Sequence, residues 1–191
     1  MSRKNLGQRG FTLLELLVVV AILGVLATTA IAMFQLQQQR AKRSEAMTNL
    51  AGIAKMQNSY FGENGSHPNA LPVPLGPPGI KQNWDAVADA EFATLGFRTD
   101  GSVFYVYDVD SSSGTCACPS NGCFTASAYG DSDRDGIVAV VSYFHTDGGG
   151  AWCPTQVFAL APPIDPVDGL PILEQPVDHF QYIGPGIVDD Y

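Results

Sequence analysis

Arg9-Gly10-Phe11-Thr12-Leu13-Leu14-Glu15-Leu16-Leu17 opens an apolar run that continues almost without interruption to Phe34. A basic leader carrying Arg3, Lys4 and Arg9 stops at a glycine, and the hydrophobic stretch starts at the next residue. The run reaches the roughly 20 residues that a helix needs to cross a bilayer. One carboxylate, Glu15, stands in its first turns, and a charge there is costly unless something pairs with it. Two ordinary readings fit part of this pattern. A secretory signal explains the leader and would be cut near Ala30-Ile31-Ala32, but the run is longer than such apolar regions usually are. A plain signal anchor explains the length and keeps the basic end cytoplasmic. Neither gives Glu15 a purpose.

Polarity changes abruptly after Phe34, through Gln35-Leu36-Gln37-Gln38-Gln39-Arg40-Ala41-Lys42-Arg43-Ser44-Glu45. Apolar residues then recur at Met47, Leu50, Ile53 or Ala54, and Tyr60 or Phe61, steps of three and four that mark one helical face. The same helix is therefore expected to run from Phe11 to about Phe61, roughly 75 Å at 1.5 Å per residue. Gly52 is a weak point within it. Gly62-Glu63-Asn64-Gly65-Ser66-His67-Pro68 ends it with glycines, Asn and Pro, and His67 reads as a surface turn residue.

Beyond the helix, Leu71 to Gly79 is rich in Pro and Gly and reads as a loop. Trp84, Val87, Ala88, Phe92 and Leu95 fit a short amphipathic helix closed at Gly96. Strands are expected at 103–109, 124–129, 137–145 and 156–160, with a further one at 177–183 in the Pro-rich tail. Short connections between them suggest an antiparallel meander. The fold class is thus α+β: a long N-terminal helix packed on a small antiparallel sheet. The chain divides into a leader (1–10), an apolar helical half (11–34), an amphipathic helical half (35–62) and a globular head (63–191).

Ten basic residues face 19 acidic ones, a formal charge of -9, and six of the ten basic residues precede residue 44. An acidic body argues against specific nucleic-acid binding, which needs a basic surface to displace counterions. Cys116, Cys118, Cys123 and Cys153 all lie in the second half. In an exported chain an even count reads as two disulfides, with three possible connectivities; a bridge within the 116–123 loop plus one to Cys153 is the arrangement expected. A zinc site usually shows paired Cys-x-x-Cys hooks, which this spacing lacks. No Gly-x-Ser-x-Gly elbow, P-loop or His-Glu-x-x-His is present, and the chain reads as a non-enzyme.

Gly10-Phe11-Thr12-Leu13-Leu14-Glu15 resembles the leader junction of type IV pilins and type II secretion pseudopilins. Tyr60 to Pro68 and the passage from Phe92 to Tyr107 also resemble the corresponding parts of pilins. The resemblance implies cleavage by a prepilin peptidase between Gly10 and Phe11, and N-methylation of Phe11 by the same machinery. It implies that Glu15 pairs with the freed amine of a neighbouring subunit and so sets the axial register. It also implies an inner-membrane store of subunits in lipid, an assembly platform there, a cytoplasmic motor, and a filament in the periplasm or outside the cell. Such filaments serve motility, adhesion or DNA uptake, and the pseudopilin alternative serves secretion. A membrane-anchored exported domain, binding or enzymatic, is the remaining alternative. One departure stands out: many family members carry a helix-loosening proline where this chain has Ala32.

Asp131-Ser132-Asp133-Arg134-Asp135-Gly136 begins like a calcium loop, with aspartates at alternate positions. The twelfth position is Ser142 rather than a bidentate carboxylate, and a strand follows in place of a helix. Similar acidic turns occur in pilin heads and at the calcium site of the major type II pseudopilin. Calcium held by Asp131, Asp133 and Asp135, the one possible cofactor, and a solvated acidic turn are both open on these residues.

Overall fold

The computed structural model describes residues 11–76, 80–111, 116, 118, 121–131, 134, 136, 138–165 and 167–178. Helix α1 runs over Leu13–Asn64. Up to Phe34 its large apolar side chains are exposed on every side. Thr28 and Thr29 donate their hydroxyls back to the carbonyls of Val25 and Leu26, at 2.8 and 3.0 Å. Each hydroxyl is thereby satisfied within the helix itself, as an apolar surrounding requires. The helix has the length and composition to cross a membrane. It ends at Gly65, which takes φ +70° and donates its N–H to Phe61 O at 2.8 Å, a left-handed C-terminal cap.

The residues from 39 onward form a compact unit of their own. Within it α1 buries Ala46, Leu50, Ile53, Ala54 and Gln57 along one stripe. A five-stranded antiparallel sheet carries the rest of the core: β1 (Ala70–Val73), β4 (Val106–Ser111), β5 (Phe124–Gly130), β6 (Ala139–His145) and β7 (Pro176–Asp178), in the order β1-β4-β5-β6-β7. Two short strands, β2 (Gln82–Asn83) and β3 (Ser102–Val103), pair separately. Between them lies α2 (Ala86–Glu91), capped by Asp85, whose carboxylate accepts from the N–H groups of Val87 and Ala88.

Leu50 and Ile53 are fully buried in one cluster with Tyr107, Val109, Phe124, Ala126, Val141 and Tyr143. Each such aliphatic side chain contributes about 1.5–3 kcal/mol by leaving water. Gly52 lies where Phe97 approaches: a Cβ there would meet Phe97 Cε2 at 3.3 Å. What reads in sequence as a weak point in the helix is therefore the place where the aromatic group Trp84, Phe92 and Phe97 comes close to the backbone.

Several expectations need correcting. The Pro- and Gly-rich stretch from Leu71 contains β1, which Leu71 and its neighbours form by pairing with β4. The expected strand at 103–109 divides into β3 and β4. Residues 156–160 are a turn, closed by Thr155 N–H to Leu160 O at 3.0 Å and Ala159 N–H to Thr155 O at 2.9 Å, with Ala159 at φ +52°. Of their apolar residues, Phe158 packs on Tyr129 of β5, with ring centroids 5.3 Å apart, while Val157 is exposed. Val87 is exposed, so the buried face of α2 is Ala88 followed by Phe92. His67 is fully buried, not at the surface. The strand in the tail is β7, and residues 179–183 lie outside the described residues.

Candidate functional site

Phe11 and Thr12 precede the first turn of α1, and Thr12 caps it. Glu15 N–H donates to Thr12 Oγ1 at 3.2 Å, while Thr12 N–H and Thr12 Oγ1–H donate to Glu15 Oε2, each at 2.9 Å. This is a reciprocal capping box, and Thr-x-x-Glu ahead of an apolar run is its sequence signature. Sequence reading assigns Glu15 a partner in a neighbouring subunit, the freed amine of Phe11, whereas this signature supplies a second one within its own helix. Among the described residues, the partners of Glu15 are the neutral donors of Thr12, both on Oε2, so its negative charge is not balanced. Gly10 and the leader lie outside the described residues.

Polar links tie α1 from Glu45 onward to β4 and to the segments that flank the strands. Glu45 accepts the backbone N–H of Phe104 at 2.8 Å, and burial raises its pKa against that bond and against the charge of Lys81. The ammonium groups of Lys42 and Lys81 stand 5.1 and 5.5 Å from the centroid of the Phe104 ring. Asn49 donates to Tyr107 Oη at 2.8 Å. Gln57 donates to Pro68 O at 2.8 Å, and its Oε1 lies 3.1 Å from His67 Nδ1. The His67 ring stacks on Phe61 at 4.6 Å and meets His145 edge-on at 5.5 Å, so two of the histidines that look scattered in sequence are neighbours. Burial and the nearby His145 lower the His67 pKa to about 4.

All four cysteines are joined, Cys116 to Cys153 and Cys118 to Cys123. The four sulfurs form one buried cluster. The longer bridge anchors the segment from Trp152 to Pro163 beside β5, where Thr125 Oγ1 donates to Cys153 O at 2.6 Å.

In the acidic loop, Asp131 accepts the N–H of Arg134 on Oδ1 at 2.7 Å and that of Gly136 on Oδ2 at 3.1 Å. Arg134 and Gly136 both take positive φ, +68° and +91°. Both oxygens of Asp131 thus hold the turn together, which is the work of a turn aspartate. Asp133 and Asp135 lie outside the described residues.

Comparison with known proteins adds three likenesses and one family match. Residues 5–31 match the prokaryotic N-terminal methylation motif. The chain is 32% identical over 171 residues to the type IV major pilin protein PilA of Myxococcus xanthus, covering 81% of this chain and 67% of that protein. It is 36% identical over 74 residues to the type IV major pilin protein PilE1 of Neisseria gonorrhoeae, 39% of this chain and 35% of that one. It is also 36% identical over 62 residues to the type II secretion system core protein G of Pectobacterium carotovorum subsp. carotovorum, 32% of this chain and 40% of that one.

Proposed function

This chain belongs to the type IV pilin family, whose members assemble with like subunits into filaments, and we propose the following route for its own assembly. A prepilin peptidase cuts between Gly10 and Phe11, and Phe11 becomes an N-methylated terminus. Residues 11–34 hold the subunit in the inner membrane, 35–62 join that segment to the head, and 63–191 form the head. An assembly platform in the same membrane then draws subunits from lipid into the filament.

The observation that carries this reading is the exposed apolar surface from Phe11 to Phe34 with one carboxylate at its start. So large an apolar surface is foreign to soluble monomers and needs lipid or sister helices around it. Glu15 adds the register. Its hydrogen bonds to Thr12 leave the negative charge uncompensated, and in a low-dielectric bundle the amine of a neighbour's Phe11 compensates it. Thr12 stays with Glu15 after cleavage, so the cap holds the carboxylate in place until that partner arrives. Asp131 serves its turn, and calcium has no part in this proposal.

Mass spectrometry of the mature N-terminus tests the processing step. A methylated Phe11 is expected; an intact leader, or a start beyond Ala32, would mean an ordinary anchor or signal. Glu15→Val tests the register. The variant is expected to be cleaved and inserted yet to yield few filaments, and a wild-type yield would remove Glu15 from assembly. The 62-residue likeness to a secretion core protein supports a second reading, a pseudopilin. Abundant subunit in purified surface filaments is expected for a pilin and not for a pseudopilin.

A further inference from the structure

Basic charge is spread unevenly along this chain. From Ser44 to Tyr191 eighteen acidic residues face four basic ones, whereas Arg40, Lys42 and Arg43 stand together, with no acid between Glu15 and Glu45. The fold adds to that group. Strands β2 and β3 pair with Gln82 opposite Val103, which brings Lys81 alongside Phe104. The ammonium groups of Lys42 and Lys81 lie 5.1 and 5.5 Å from the centroid of the Phe104 ring. Glu45, the acid within the group, holds Phe104 in place by accepting its backbone N–H at 2.8 Å. One of the four basic residues of the acidic part thus joins the three that follow the apolar run. Arg40 and Lys81 are exposed, and Lys42 and Arg43 are half-buried. Two ammonium groups beside one ring repel each other, and an anion close to both relieves that repulsion.

In sequence these residues lie just past the segment assigned to the membrane. Arg40, Lys42 and Arg43 follow Phe34 by six, eight and nine residues, about 9–14 Å of helix. The headgroup layer adds roughly 5–8 Å to each side of the hydrocarbon core. Helical side chains lean toward the N-terminus of their helix, here toward that layer, and the long stems of Arg and Lys cover the remaining distance. Their charge also opposes the orientation signal. The leader puts Arg3, Lys4 and Arg9 on the cytoplasmic side, and three basic residues close behind the apolar run offset that bias. A basic cluster that works against its own insertion calls for a negative partner on the side where it ends.

We propose that Arg40, Lys42, Arg43 and Lys81 form a clamp for the headgroups of anionic glycerophospholipids in the leaflet that faces the head. The clamp rests on the proposed membrane placement of residues 11–34. An anionic bilayer repels an acidic head, and a basic group beside the membrane-held segment turns that repulsion into attraction. Lipid phosphates suit the group better than a nucleic acid does. They reach it singly from the membrane side, whereas an extended polyanion would also meet the acidic remainder of the head. Phe104 keeps the two lysines together, so the clamp is assembled before any lipid arrives.

Lysine acylation of the full chain in nanodiscs carrying one copy each tests this, with the labelling rate of every lysine read by mass spectrometry. Discs of phosphatidylcholine are compared with discs containing phosphatidylglycerol. Lys42 and Lys81 are expected to label about fivefold more slowly in the anionic discs, the effect of one basic group near such a surface. Exposed Lys55, thirteen residues beyond Lys42 in α1, is expected to keep its rate. Salt at about 0.5 M is expected to restore the lysine rates by screening, an arm that needs no variant. Arg40→Gln with Arg43→Gln is expected to shrink the slowing at both lysines. Equal rates in the two lipids, a fall at Lys55 as large as at Lys81, or slowing that survives salt overturns the clamp. Slowing that appears only when several chains share a disc assigns the group to the acidic heads of sister subunits and overturns it too. Exchange protection of amides 13–34 reports insertion separately. A chain that inserts without the slowing loses the clamp alone, and a chain that fails to insert loses the membrane placement as well.

Discussion

Glu15 does two jobs that call for different partners. In the isolated chain its carboxylate accepts two bonds from Thr12 and completes the helix start; in a filament it is proposed to answer a neighbour's amine. The first job makes the second easier, because a carboxylate already fixed in direction loses less freedom on pairing. Thr12→Ala separates the two. It removes the hydroxyl that accepts from Glu15 N–H, and loss of such a cap costs about 1 kcal/mol. Exchange of the Glu15 amide in micelles is expected to speed up by about fivefold, the equivalent of that energy. Membrane insertion is expected to be unchanged, since the apolar run is untouched. An unaltered exchange rate would show that the first turn does not depend on the box.

At the scale of elements, what was legible in the sequence was what repeats. Steps of three and four from Met47 to Tyr60 or Phe61 announced the buried stripe of α1, and the β-branched and aromatic runs announced β4, β5 and β6. Strand β1 was hidden because Pro72 and Pro74 argue against a strand, and an edge position is where proline is tolerated. The turn at 156–160 was misread for the opposite reason. Val157, Phe158 and Leu160 suit a strand, yet here they lie in a turn from which Phe158 reaches Tyr129 of the sheet. His67 reads as a surface turn residue and is instead buried, because its burial depends on Gln57, Phe61 and Phe124, which no local pattern brings together. The segment from Trp152 to Pro163 depends on a covalent tie, and Cys116 and Cys153 are 37 residues apart. Closing a loop of that length stabilises the folded chain by about 3–4 kcal/mol in the chain-entropy account. The double variant Cys116→Ser with Cys153→Ser is expected to lower the denaturation midpoint of the head accordingly. Removing Cys118 and Cys123, which close a much shorter loop, is expected to cost less. Denaturant titration of the two double variants checks the ranking, and equal losses would contradict it.

At the scale of the whole molecule, two buried groups pull stability in opposite directions with pH. His67 is neutral in the folded chain down to about pH 4, whereas in the unfolded chain it binds a proton near its ordinary value of 6.5. Between those values the unfolded state holds more protons, so this group makes stability rise with pH from about 4 to about 6.5. Asp108 works the other way. Folded, it keeps its proton up to about pH 7, while the unfolded chain releases it near 3.8, so its contribution falls as pH rises between them. At full extent the histidine contributes about 3 kcal/mol and the acid about 4 kcal/mol, and the histidine's window lies within the acid's. The thermal midpoint of the wild-type head is therefore expected to change little between pH 4.5 and 6.5. Single substitutions uncover the hidden slopes. With Asp108→Asn only the histidine remains, and the midpoint is expected to climb with pH; with His67→Phe only the acid remains, and the midpoint is expected to fall. Calorimetric scans of the full chain in micelles at several pH values give all three curves. Parallel curves for the two variants would show that neither group changes its proton affinity on folding.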